Sequence, residues 1–242
     1  MNGAMVSAKI HKWLALLMAI QILFWFVSGL FFAAVPIEQV RGEHAIAEQA
    51  QAPVPFGIAA DGLLRLGSAG VTGEKIEIRT VLDQPVAVVT ARGGAQKLYD
   101  LSTGQLMSPL TREMAVAVAE ADHAGAERAA GAEPVTKNGT EYRGPLPAWR
   151  VDFEDGASRS LYVAADTGAV TARRSQLWRV YDFLWSLHIM DFKDHEDFNT
   201  PLLIIATALG LVVIVTGMIM FPSRLGYHAW RRRRKRARQA QP

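Results

Sequence analysis

The chain has 242 residues, half of them hydrophobic, no cysteine and a formal net charge of +3. The missing thiols exclude disulfides, thiol catalysis, iron–sulfur clusters and thiolate metal sites. The small net charge averages two opposite regions: ten of the 26 basic residues lie outside two long apolar stretches, and the remaining 16 share the middle with all 23 acidic residues, a formal −7.

The first apolar stretch, Trp13 to Val35, follows Lys9 and Lys12 in a short N-terminal segment, residues 1–12. It carries no ionised residue and, at about 1.5 Å per helical residue, spans a hydrocarbon core of about 30 Å. It is longer than the apolar core of a signal peptide, so an uncleaved anchor is expected. Residues 36–55 read as a linker, with Pro53 and Pro55 stiffening its end.

An internal repeat follows. Residues 85–106 and 149–170 each show an alternating strand, a Gly-Gly or Asp-Gly turn, a second strand and then Thr103-Gly104 or Thr167-Gly168, 64 residues apart. Each is preceded by a further strand, Glu74–Leu82 or Glu133–Tyr142, and by a helix. The better helix is Thr111 to His123 with Thr111 as N-cap, and the weaker runs from Gly57 to Leu66 because Gly62 interrupts it. The expected fold is an α+β domain of two helix-on-antiparallel-sheet units, 56–108 and 109–174, between two transmembrane helices.

Residues 175–200 follow. Within them Gln176–Phe192 is aromatic and amphipathic, with Leu177, Tyr181, Leu184 and His188 on one face and Arg179, Asp182 and Ser186 elsewhere. Trp178, Tyr181 and Trp185 suit the headgroup zone, so an interfacial helix is expected. If that helix continues, His188, Asp191 and His195 share a face suited to a first-row divalent metal, although an acidic run is more often merely solvated. The second span, Pro201–Phe221, is also free of charge. Gln21 and Ser28 on the first span, and Gly210 and Gly217 on the second, are expected to pack the spans together or to form a homodimer.

Arg224 and the Arg231–Arg238 run lie in the basic tail, residues 222–242. Basic residues stay in the cytoplasm, so both termini are expected inside, with residues 37–200 extracytoplasmic and the bilayer as the first partner. The tail is expected to rest on anionic headgroups and not to bind nucleic acid.

The stretches Leu98-Tyr99-Asp100-Leu101-Ser102-Thr103-Gly104 and Tyr162-Val163-Ala164-Ala165-Asp166-Thr167-Gly168 resemble the PepSY domain, with Ala164 where the family often has Asp. The flanks Lys9-Ile10-His11-Lys12-Trp13-Leu14 and Leu184-Trp185-Ser186-Leu187-His188-Ile189-Met190-Asp191 resemble PepSY-associated transmembrane proteins. The resemblance implies a bacterial inner-membrane location. It divides on function: soluble PepSY modules are linked to peptidase inhibition or regulation, and membrane relatives occur in iron uptake, some of them as haem-bearing reductases with about four spans. This chain has two. His11 and His228 fall on the inner side, and His44, His188 and His195 on the outer side, so these histidines are haem b ligand candidates only within each side. No hydrolase, nucleotide-binding or zinc-protease signature occurs. The expected reading is a non-enzymatic binding protein, in an iron-uptake or siderophore-uptake setting, with an envelope protein or a second copy as partner. The alternatives are a haem electron-transfer subunit, acting as a dimer or with a partner, and a peptidase regulator that pairs an extended segment on a sheet edge.

Overall fold

The computed structural model describes residues 3–48 and 53–224. Its helices are α1 (Gly3–Ala34), α2 (Ile37–Val40), α3 (Phe56–Ser68), α4 (Arg112–Asp122), α5 (Gln176–Ile189) and α6 (Pro201–Arg224). Its strands are β1 (Lys75–Val81), β2 (Gln84–Thr90), β3 (Gln96–Asp100), β4 (Ala129–Val135), β5 (Ala148–Phe153), β6 (Ser160–Ala164) and β7 (Val170–Arg174). The chain divides into two compact units, Met1–Ala34 with Phe183–Pro242, and Val35–Asp182.

In the first unit, α1 and α6 are apolar on every side, and each is long and apolar enough to cross a membrane. They pack antiparallel. Met18 is buried with Ala206 and Val213. A Cβ at Gly210 would come within 3.5 Å of the Trp25 ring, and one at Gly217 within 3.1 Å of the His11 ring. The two glycines therefore seat aromatic rings from α1; the small-residue face expected for backbone-to-backbone approach works as a pair of sockets.

In the second unit, three antiparallel strands in the order β1-β2-β3 and four in the order β4-β5-β6-β7 form two sheets. The repeat is real at the level of single hydrogen bonds. Gly104 N–H donates to Asp100 O at 2.7 Å and Asp100 N–H to Gln105 O at 2.9 Å; 64 positions on, Gly168 N–H donates to Ala164 O at 2.8 Å and Ala164 N–H to Ala169 O at 2.9 Å. Gly104 and Gly168 take φ of 75° and 68°, the left-handed region that glycine enters without a Cβ clash. Asp100 adds side-chain bonds to the amides of Ser102 and Thr103, which Ala164 cannot supply.

The two repeats share one core. Val86, Val88 and Leu98 of the first sheet, Ala115, Val118 and Ala119 of α4, and Val151, Leu161 and Val163 of the second sheet form a single buried cluster. The other face of the first sheet is covered by α3, whose Leu66 packs on Ala87, Val89 and Leu101. Thr111 caps α4 through Met114 N–H at 3.3 Å, as expected.

Four expectations change. The strand expected over Glu133–Tyr142 runs from Ala129 to Val135, because residues 136–147 leave the sheet. A fourth strand, β7, completes the second sheet. The Asp155-Gly156 turn does not use its glycine: the positive φ falls on Ser158 (48°), and the Asp155 carboxylate gathers the loop through the amides of Ala157 and Arg159. The linker is not free chain. Val40 is buried, Ala47 N–H donates to Asp122 O at 2.8 Å and Ala124 N–H to Ala45 O at 3.0 Å, so residues 40–47 are fastened to the end of α4.

Gly62 does not break α3, which runs through it from Phe56 to Ser68. It is the point of closest approach: a Cβ there would lie 2.5 Å from the Leu101 side chain and 2.8 Å from its backbone oxygen. Overpacking costs about 1–3 kcal/mol against about 1 kcal/mol gained in helix propensity. Gly62→Ala is therefore expected to lower the melting temperature of the interspan domain. A variant of unchanged or raised melting temperature would show that α3 can lift from Leu101 without loss.

Candidate functional site

The outer face of the second sheet, opposite the shared core, carries polar groups where a strand buried on both sides would be apolar. The register sets Glu133, Arg150 and Tyr162 side by side across β4, β5 and β6. The segment 136–147 folds back over this row. Tyr142 stacks on Tyr162 with ring centroids 4.6 Å apart and planes 6° from parallel. Beside the stacked rings lies an open groove of about 440 Å³, lined among others by Glu133, Lys137, Glu141, Tyr142, Arg150 and Tyr162. That volume lies in the usual range for a small-ligand site, about 300–1,000 Å³.

One network holds the groove. Arg179, one turn into α5, donates from Nε to Glu141 Oε1 at 2.7 Å and from Nη2 to Ser160 Oγ at 3.0 Å. The Tyr162 hydroxyl donates to Glu141 Oε2 at 3.1 Å. Ser160 donates to Asp152 at 2.6 Å, and Arg150 Nε donates to the same carboxylate at 2.9 Å. Arg174 donates to the Glu141 carbonyl at 2.6 Å while its guanidinium lies 4.1 Å from the Trp178 ring centroid. Burial alone would raise the Glu141 carboxyl, but the Arg179 hydrogen bonds and charge hold it below the ordinary value. Burial, then the Glu141 charge, pushes the Tyr162 hydroxyl up to about 12. The groove thus presents a neutral phenol, an arginine and the exposed carboxylate of Glu133, while the Glu141 carboxylate is paired with Arg179. Sequence reasoning missed this network because its members lie up to 38 residues apart; the one linear sign was Ser160 and Tyr162 inside a short, otherwise apolar strand.

The histidines separate. In the first unit, His11 Nδ1 lies 3.0 Å from Val213 O and 3.2 Å from Thr216 Oγ1. Thr216 donates its own proton to Val212 O, so the His11 ring supplies the N–H of that pair. His188 Nδ1 lies 2.7 Å from Ser28 Oγ, which itself donates to Phe24 O. In both rings Nδ1 carries the proton and Nε2 is left with the lone pair. Burial pushes the His188 imidazole below its ordinary value, toward the neutral form. His11 and Ser28 stand 17 residues apart on α1, about 25 Å along the axis. His44 is exposed in the second unit, and His195 is in a loop where its carbonyl accepts from Trp185 Nε1 at 3.1 Å. His228 lies outside the described residues.

The metal face expected at His188, Asp191 and His195 does not form. Met190 takes φ of 55° and ends α5 before Asp191. The Asp191 oxygens accept four backbone amides, from Lys193, Asp194, Glu196 and Asp197, at 2.9–3.2 Å. Those bonds, led by that of Asp197, hold its carboxyl well below the usual range. Asp191 is the hub of a loop. Among the described residues no group of three or more His, Asp or Glu side chains is placed to hold a metal ion.

The expected packing residues also find other partners. Gln21 donates to Leu187 O at 3.2 Å, and Trp25 to His188 O at 2.7 Å, so their polar atoms, with that of Ser28, bond to the end of α5. Trp185 packs edge-on to Phe32 and Phe198. Tyr181 is half-buried, and the most exposed apolar side chains of α5 are Val180 and Phe183. Ser186, expected to point away from the packed face, is buried.

The raised Tyr162 value fixes a pH dependence. Unfolded tyrosine ionises near 10, whereas folded Tyr162 keeps its proton to about 12. Its contribution to stability is whole below pH 10 and is lost as the pH rises from about 10 to about 12. Melting temperatures of the solubilised chain should fall more steeply over that range than those of Tyr162→Phe; equal slopes would place the phenol in solvent.

A search of curated proteins and a search of solved structures each found no match. A family described as the PepSY-associated TM region matches residues 8–241. The match takes in both apolar helices and the duplicated domain between them, and the chain belongs to this family.

Proposed function

We propose that this protein is a membrane-anchored binding protein whose interspan domain takes its ligand in the Tyr142–Tyr162 groove outside the cytoplasm. The observation that carries this reading is the groove itself, held open by Arg179 and Glu141 and presenting the Tyr162 hydroxyl and Arg150. The resemblance noted in the sequence suggests the setting, iron or siderophore uptake at the bacterial inner membrane. The basic flanks of the spans support both termini inside and the domain outside. The lining offers two cationic side chains, Lys137 and Arg150, beside the carboxylate of Glu133, to an oxygen-rich, anionic ligand, while the one Tyr162 hydroxyl proton is donated to Glu141. The test is calorimetric titration of the purified full chain with iron-loaded and iron-free siderophores, together with photo-crosslinking from Thr136 in intact cells. Binding that weakens at least tenfold in Arg150→Ala, or one defined envelope partner captured from Thr136, supports it. No binding, with recovery of the chain alone, counts against it.

A second reading, haem-mediated electron transfer, is favoured by the His11 and His188 rings. A ligating imidazole commonly anchors Nδ1–H on an oxygen and offers Nε2 to the metal, which is how both rings are held. Their donor chemistry would suit haem iron, with one ring at each level of α1. At about 25 Å they cannot share one haem, so the second ligand at each level must come from another copy or partner. Haem bound there would carry single electrons. Reduced-minus-oxidised spectra of the full chain should then show a haem band that is lost in His11→Ala or His188→Ala. A spectrum without a haem band would end this reading.

A further inference from the structure

The edges of the two sheets are not equivalent. Beside β3 the chain returns, with Met107 N–H donating to Leu98 O at 2.8 Å and Tyr99 bridging Leu106. On β4, Pro134 takes away an outward donor. On β7, Arg173 is held by Asp122 and Arg174 by the Glu141 carbonyl. β1 is seven residues long and, among the described residues, has no strand beyond it.

Its hairpin geometry says which backbone groups face outward. β1 and β2 are joined by Leu82 and Asp83, both with positive φ (50° and 60°), and Val81 pairs with Gln84 to close the turn. In a two-residue hairpin of this kind the closing pair exchanges hydrogen bonds, so every second residue back from Val81 is bonded to β2. Ile76 and Ile78 fall between them and aim their N–H and C=O groups away from the sheet. Their side chains are 47 % and 36 % exposed, on the same face as Ala87 and Val89. An open ladder beside a partly exposed apolar shelf, at the rim of the face that α3 covers, is the setting for strand addition.

We infer that a second copy of this chain pairs antiparallel with β1, with the two-fold axis passing at Ile78. Ile78 is the midpoint of Lys75–Val81, so this register pairs the whole strand. It sets Ile78 against Ile78 and places Glu77 opposite Arg79 of the second copy, twice. A register centred on Glu77 would set two glutamates together and Lys75 against Arg79, like charges that destabilise a cross-strand pair. Arg79 donates to Thr167 O within its own copy. A guanidinium has five N–H donors, so that bond and a cross-strand ion pair are compatible.

The absence of cysteine makes the test direct, with the full chain in native membranes. Cα atoms of a hydrogen-bonded antiparallel pair lie about 5.5 Å apart, within disulfide reach. Under mild oxidation Ile78→Cys is expected to give a disulfide-linked dimer, and co-expressed Glu77→Cys and Arg79→Cys copies a mixed one. Lys75→Cys, on the same strand but six residues out of register with itself, is expected to stay monomeric. Glu77→Arg should weaken the dimer roughly tenfold, because two attractive pairs become repulsive, and Glu77→Arg with Arg79→Glu should restore it. The inference is overturned if Ile78→Cys crosslinks no better than Lys75→Cys, or if it captures a different protein. Because Ile78→Cys leaves the Arg79 contact intact, this arm reads the interface even if the charge variants fold poorly.

Discussion

A helix in hydrocarbon must satisfy its own backbone and cannot carry charge, and α1 and α6 obey that rule along their whole apolar length. Because they pack antiparallel, Ala34 and Pro201 lie at the same end of the pair. Everything between therefore folds with both ends tied. The close packing comes from rings set into glycine sockets, Trp25 on Gly210 and His11 on Gly217. A Cβ at Gly217 would press on the His11 ring, whose Nδ1 is anchored to Val213, at 3.1 Å, whereas one at Gly210 would only touch the Trp25 ring at 3.5 Å.

Between the spans, duplication sets up a division of labour. Each repeat brings a helix and an antiparallel sheet, but only α4 sits in the core that both sheets share. α3 covers the far face of the first sheet, and no helix of the repeat covers the far face of the second. That uncovered face is where Arg150, Tyr162 and Ser160 stand, roofed by the 136–147 segment and clamped by Arg179. The carboxylate of Glu141 is stable there because a guanidinium and a phenol bond it directly, which offsets the cost of its burial. The chemistry gathers on this face, around the small apolar cluster of Tyr142, Ala148, Tyr162 and Ala172.

In the first unit the backbone removes the expected His–Asp–His face. Met190 turns the chain out of α5 before Asp191 and His195 can join His188 on one helical face, and four amides then claim Asp191. The imidazole of His188 is left paired with Ser28, and the loop carrying His195 is shaped by Asp191. What looked like a ligand set is a helix stop followed by a carboxylate-centred turn.

Composition and order alone determined the two spans, the α+β class of the domain between them, the Thr111 cap and the 64-residue repeat with its Thr-Gly turns. These follow from local rules: hydrocarbon excludes charge, side-chain periodicity selects the element, and positive φ favours glycine. Other features were decided only by tertiary structure. Gly62 became a contact with Leu101 and not a helix break, the linker was fastened to α4, β7 joined the second sheet, and Gln21 and Ser28 turned toward α5. The groove network of Glu141, Arg150, Tyr162 and Arg179 was equally beyond a linear reading. Each depends on which distant backbone a residue meets, and the energy of such a contact is set by packing and burial that no local pattern encodes.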